Sequence, residues 1–251
     1  MKRRVALVTS AVTALVFLIL PFVALIRATH WGDLSLARGD LAAAATSFIY
    51  ALVAMVFVVA LGTPLAYWLA RWQFRGKWLA EGLVLLPLLT PPLAMGLLLA
   101  TLYGPYGWAG APLSALGLRL TNSPAAFVLA QIYGAAPYYI VTARAAFEGV
   151  APEYEQVART LGRGPWYCFR KVTLPLATLG LVAGLALGWV RAMGEFGIVM
   201  VVAYFPQGIP VKLWTNLQNT GLSAVYPLLW LFFLIAMPLP LVLGLWSRRV
   251  Q

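Results

Sequence analysis

The sequence predicts an all-α integral membrane protein, with six transmembrane helices and one short amphipathic helix between the fourth and the fifth. Three observations carry that expectation. Apolar residues occupy 62% of 251 positions and charged ones only 10%, more apolar surface than a water-soluble domain can hide. The apolar residues fall into six runs, each long enough to cross roughly 30 Å of hydrocarbon. The basic residues are shared unequally between the two sets of loops that join those runs.

Taken in order, Lys2, Arg3 and Arg4 precede an apolar run over residues 5–26. That run is too long for a secretory leader and no small-residue cleavage site follows it, so it is expected to be retained as the first span. Residues 27–40 read as a polar loop carrying the one histidine, His30, expected to be a loop residue and not a ligand. The second span covers 41–70, with Gly62-Thr63-Pro64 marking a kink. A basic turn follows at 71–77. The third span, 79–103, carries Pro87, Pro91 and Pro92, and residues 104–122 are a Gly- and Pro-rich loop. The fourth span covers 123–147 with Pro137 inside it, and the fifth runs from about 172 to at least Met193. Residues 204–221 read as a polar loop, and the sixth span covers 223–246.

Six spans put both ends of the chain on one side. That side holds Lys2, Arg3, Arg4, Arg71, Arg75, Lys77, Arg144, Arg159, Arg163, Arg170, Lys171, Arg248 and Arg249. The other holds Arg27, Arg38, Arg119 and Lys212, and Arg191 stands at the end of the fifth span. The positive-inside rule places the richer side, with both termini, in the cytoplasm. The net charge of +11 is then a matter of topology and lipid headgroups, not of nucleic acid.

The longest polar island, 151–175, lies on the basic side. Pro152 suits a first helical turn, where its missing N–H is not needed. Glu153 and Glu155 put negative charge at the helix N-terminus. Tyr154, Val157, Ala158 and Leu161 form an apolar stripe at helical spacing, and Gly162, then Gly164-Pro165, stop the helix. The result is too short to span a bilayer and must pack on something. Cys168, the one cysteine, excludes a disulfide within the chain and reads as a small apolar filler.

Two motifs inside the spans stand out. Pro87-Leu88-Leu89-Thr90-Pro91-Pro92 interrupts the third. Freed backbone carbonyls survive in hydrocarbon only against protein or a wet cavity, so the stretch is either a pathway wall or a kink that fits packing. Arg191-Ala192-Met193-Gly194-Glu195-Phe196-Gly197 places Arg191 and Glu195 four apart, able to pair, because either charge alone is costly near the membrane. Gly194 and Gly197 allow close approach or a bend. A gate beside a substrate route and a structural ion pair both fit.

The chain has no Gly-x-x-x-x-Gly-Lys-Ser/Thr loop to cradle a nucleotide phosphate and no His-Glu-x-x-His. One histidine and seven acidic residues leave little for a metal site or a Ser/His/Asp set.

The run Ala158-Arg159-Thr160-Leu161-Gly162, its aromatic-basic continuation and Leu174-Pro175 resemble the cytoplasmic "EAA" loop of importer-type ABC permeases. The letters themselves depart: the matching positions read Gln156-Val157-Ala158, with the acidic residue displaced to Glu155 or lost. Arg-Ala-Met-Gly-Glu-Phe-Gly resembles a signature of oxyanion permeases, those for molybdate, tungstate and sulfate, and the third-span proline run fits the same branch.

The resemblance covers about residues 40–246 and implies a type I ABC importer permease fold, one domain over 1–251 with its coupling loop at 151–175. It implies an inner-membrane homodimer with two ABC ATPase subunits below and a periplasmic or lipid-anchored substrate-binding protein above. ATP and magnesium would sit on the ATPase, and this chain would bind no cofactor. The implied ATPase-coupling residues are Glu153, Tyr154, Glu155, Gln156, Val157, Ala158, Arg159, Leu161 and Gly162. The implied pathway or gate residues are Pro87, Pro91, Pro92, Arg191, Gly194, Glu195 and Gly197. The implied cargo is a tetrahedral oxyanion, molybdate or tungstate first. The periplasmic loop at 204–210 departs from the family pattern and keeps sulfate, phosphonate or another anion open. An ion-driven secondary transporter is the reading from a different class; for it, Glu195 is the one serious proton-carrying candidate.

Overall fold

The computed structural model describes residues 2–250, so Met1 and Gln251, the ends of the expected domain, lie outside the described residues. Among the described residues the chain is helical and has no strand. Five stretches are long and apolar enough to cross a membrane: Ala6–Ala28, Asp40–Arg71, Pro124–Glu148, Pro165–Val202 and Leu222–Ser247. They contain α1 (Lys2–Ala28), α2 (Asp40–Arg71), α6 (Pro124–Glu148), the segment with α8 (Pro165–Cys168), α9 (Leu174–Met193) and α10 (Gly197–Val202), and the pair α12 (Val225–Ala236) and α13 (Pro238–Val250).

The third expected span is not one helix with a kink. It is α3 (Lys77–Leu89) and α4 (Pro92–Tyr103), bent by 109°. The cause is local. Thr90 precedes a proline and takes an extended conformation, and Pro91 follows it in the same region (φ −53°, ψ 136°). Pro92 then opens a new helix, where no N–H is required of it. The membrane count is therefore six only if this broken pair is one span.

Two expected loops contain helices. Residues 104–122 include α5 (Gly110–Ala115), and 204–221 include α11 (Ile209–Thr220). The second was hidden because its polar face dominates the composition. Its buried residues are Ile209, Val211 and Asn216. Ile209 N–H donates to Ser47 Oγ at 2.8 Å and Asn216 Nδ2 to the buried Asp40 Oδ1 at 3.1 Å, tying α11 to the start of α2. Residues Gly62-Thr63-Pro64 do not interrupt α2; Thr63 Oγ1 instead shares a 2.6 Å hydrogen bond with Tyr139 OH of α6.

The core has two parts. The larger joins α2, α6 and α9 through Ala51, Val58, Ala66, Tyr139, Ala143, Phe147 and Trp189. Small residues on α6 allow close helix approach, the usual basis of packing in a membrane. Trp189 Nε1–H donates to Ala236 O at 3.0 Å, joining α9 to the end of α12. The smaller part joins α4, α10 and the first half of α6 through Met95, Leu99, Phe127, Ala130, Ile198, Val199 and Val202. The first helix is almost wholly outside both; it leans on α12 through Phe22 on Phe233, and just beyond its end Trp31 meets Trp230.

Candidate functional site

Two places gather the residues singled out by sequence. The first is the polar island. Its helix, α7 (Pro152–Thr160), begins at Pro152 and ends where Gly162 turns back at φ +77°. Tyr154, Val157 and Leu161 are exposed, at 57%, 59% and 74%. Ala158, expected with them, instead turns with Glu155 toward the membrane body, and both are buried. The reason is geometric: Ala158 flanks the stripe on the side nearest Glu155, three residues before it. Glu153, Gln156 and Arg159 are exposed.

Glu155 is the fixed point of this helix. Thr173 Oγ1–H donates to its Oε1 at 2.6 Å and Tyr67 OH to its Oε2 at 3.2 Å. Arg71 Nε lies 2.9 Å from Oε1, and Arg159 Nη2 lies 3.5 Å from Oε2. Arg71 Nη1 also donates to Val150 O at 2.9 Å, so one guanidinium holds both the entry to α7 and its carboxylate. Buried charges need such pairing and hydrogen bonding. Cys168 is fully buried behind the helix, with Sγ 3.8 Å from Glu155 O and from Arg163 O. Sequence reading missed Tyr67, Arg71 and Thr173 as partners, because nothing in their spacing shows that they converge.

The second place is the join between α9 and α10. Arg191 Nη2 lies 2.7 Å from Glu195 Oε2, so the four-residue spacing does form an ion pair. Glu195 is buried, and its Oε1 accepts the Ile198 N–H at 2.9 Å, fixing the first turn of α10. The Arg191 guanidinium stays partly exposed, 5.8 Å from the Tyr138 ring centre. Two residues of α6 that sequence reading missed shape this site. A methyl group at Gly134 would lie 2.6 Å from Glu195 Oε2, so only glycine leaves room for the carboxylate. Gln131 Nε2–H donates to Ala192 O at 3.1 Å.

The proline run and the glycine motif meet here. A methyl at Gly197 would stand 2.6 Å from Pro92 Cβ and 3.0 Å from Leu93 N. Thus Pro92, Gly197, Glu195 and Arg191 belong to one neighbourhood. Pro91 caps α4 at the bend and is exposed, and Gly194 ends α9. Pro87 lies apart from them, lining a cavity of about 350 Å³ with Leu83, Tyr133, Ala136 and Pro137 between α3 and α6. Among the described residues no group of three or more His, Cys, Asp or Glu is placed to hold a metal ion.

Comparisons with known proteins concern the chain as a whole. Residues 62–251 match the family model described as "Binding-protein-dependent transport system inner membrane component". A probable molybdenum ABC transporter permease protein of Haloferax volcanii is 44% identical over 187 residues, 74% of this chain and 68% of that protein. The molybdenum transport system permease protein ModB of Haemophilus influenzae is 34% identical over 225 residues, 87% of this chain and 95% of that one. The sulfate transport system permease protein CysT of Escherichia coli is 33% identical over 202 residues, 78% and 73% of the two chains. Among solved structures, a chain of a bacterial alginate ABC transporter, in complex with its alginate pentasaccharide-bound periplasmic protein, superposes with a TM-score of 0.76 at 18% identity. The match covers 98% of this chain and 94% of that one, a likeness of fold.

Proposed function

The chain belongs to the binding-protein-dependent transport system inner membrane components, and from that premise we propose that it is the permease of an ATP-driven importer for a tetrahedral oxyanion, molybdate first. The molybdenum permeases of Haloferax volcanii and Haemophilus influenzae support the substrate. The observation that carries the energy-coupling half is the face of α7. Three large apolar side chains, Tyr154, Val157 and Leu161, stand exposed on the most basic side of the molecule, as a surface that must be covered by a protein partner.

Two copies of the chain enclose a central path, each with its α7 as the coupling helix seated on an ATPase subunit. Glu153, Gln156 and Arg159 lie exposed beside the apolar face, and Gly162 sets its end. Both termini and α7 face the cytoplasm, and a substrate-binding protein docks on the opposite face near α11. ATP and magnesium belong to the ATPase. Its closure draws the two coupling helices together and opens the path outward; hydrolysis resets it. The bend at Pro91-Pro92 and the α9–α10 join at Gly194 to Gly197 form the gate, a reading supported by the close packing of these two broken helices on each other beside α6. Pro87 lines the wall behind it. Arg191 offers positive charge to the passing anion, held in place by Glu195. Sulfate is the second reading, supported by the 33% identity to the Escherichia coli sulfate permease.

The test uses proteoliposomes holding this permease with its ATPase and binding protein. Labelled molybdate uptake is expected to need ATP and to be little affected by excess sulfate. ATP-dependent sulfate uptake with none of molybdate would transfer the substrate to the second reading. Uptake that survives ATP depletion but collapses with the proton gradient would overturn the importer itself.

A further inference from the structure

The amphipathic helix touches the rest of the chain very sparingly. Of its nine residues only Glu155 and Ala158 are buried, and Ala158 offers a single methyl group. Its covalent links are turns: Gly149 to Ala151 on one side, and Leu161 to Gly164, with Gly162 at φ +77°, on the other. Turns of this kind absorb displacement. Among the described residues the charged connection from α7 to the membrane body is the Glu155 carboxylate, whose four partners come from three elements. Tyr67 and Arg71 are on the last turns of α2, Thr173 is at the entry to α9, and Arg159 is on α7 itself.

Charge-assisted hydrogen bonds are short and directional, so they resist shear better than apolar contact does. The entry to α9 is itself unusual. Residues Phe169–Thr173 form a π-helical turn, a rare form found preferentially at functional sites, and its last residue is the one that meets Glu155.

We infer that Glu155 is the positioning residue for energy coupling: it makes α7 move as one body with the cytoplasmic ends of α2 and α9. The inference rests on the importer reading above. Displacement of α7 by the ATPase passes through the carboxylate to Arg71 and Tyr67, hence to α2, and to Thr173, hence to α9 and the Arg191–Glu195 site at its far end. Without the carboxylate, the flanking turns take up the motion and hydrolysis runs without transport.

The experiment compares the full complex, wild type and Glu155→Gln, in proteoliposomes with molybdate. The readout is anions imported per ATP hydrolysed, at matched amounts of co-purified ATPase. Glutamine keeps the size and an acceptor for Thr173 but loses both ion pairs, and the ratio is expected to fall about tenfold, within the usual span of coupling between sites. A residue that only stabilised the fold would change yield and leave the ratio alone. An unchanged ratio in Glu155→Gln overturns the inference. If that variant does not assemble, Tyr67→Phe and Thr173→Val serve, each losing one hydroxyl while both ion pairs stay. Each is expected to lower the ratio about threefold; a wild-type ratio in both overturns the inference. Wild-type complex without ATP-dependent uptake sinks the importer reading, and this inference with it, and so is told apart from failure of the Glu155 role alone.

Discussion

Two arginine–glutamate pairs, each four residues apart, are held in opposite ways in this chain. Glu155 and Arg159 lie in α7, whereas Arg191 is in the last turn of α9 and Glu195 in the break before α10. Both carboxylates are buried. Yet Glu155 finds its closest partners on other elements, in Arg71, Tyr67 and Thr173. Glu195 finds its partners within four residues, in Arg191 and the Ile198 amide. Among the described residues, positions 194–197 make no hydrogen bond outside their own segment. The first carboxylate bolts three elements together. The second braces the α9–α10 join from within its own segment, and the join packs on α6 where Gly134 leaves room for the carboxylate and Gln131 reaches Ala192 O. On the proposed function a coupling element has to be stiff and a gate has to move, and the different partners of the two carboxylates accord with that proposal.

The comparison can be broken by substitution, and the expected effects on the stability of the permease descend in order. Glu155→Ala leaves the largely buried Arg71 side chain, 11% exposed, without its closest counter-charge, at a cost of about 3 kcal/mol. It should show as the largest drop in the unfolding temperature of the detergent-solubilised complex. Gly197→Val drives a side chain into Pro92 and the Leu93 backbone, an overpacking of about 1–3 kcal/mol. Transport should be lost in that variant while the ATPase still co-purifies. Glu195→Gln keeps its shape and its bond from Ile198, and the partly exposed Arg191 retains access to other partners, so about 1 kcal/mol is expected. A melting loss as large as that of Glu155→Ala would erase the distinction between the two sites. Leu161→Asp falls on a side chain 74% exposed and should change the stability of the permease by less than about 0.5 kcal/mol. The same charge in an apolar socket should dissociate the ATPase, read as its loss from pull-downs; an intact, coupled complex would count against docking through this face.

Much of this arrangement was legible in sequence. Run lengths and loop charges located the membrane stretches, Pro152 and Gly162 bounded α7, and the four-residue spacing of Arg191 and Glu195 announced their pairing. What could not be read was convergence. The prolines at 91 and 92 signalled a break but not the 109° angle that carries α4 onto α10. Tyr67, Arg71 and Thr173 are up to 88 residues from Glu155, and no local pattern marks them as its partners. Gly134 reads as one more small residue in a span until a carboxylate is seen in the space it leaves. Composition also misled at α11, where a polar outer face concealed a helix anchored by Ile209 and Asn216.

The most direct measurement is amide hydrogen exchange on the assembled complex, with and without trapped nucleotide. Peptides over 194–202 should change their exchange rate by about tenfold or more between the two states, as a gate that opens locally. Peptides over 165–175 should change by less than about twofold, because Glu155 holds that segment to α2 in both states. The reverse pattern, a rigid 194–202 and a loosened 165–175, would contradict the assignment of gate and bolt.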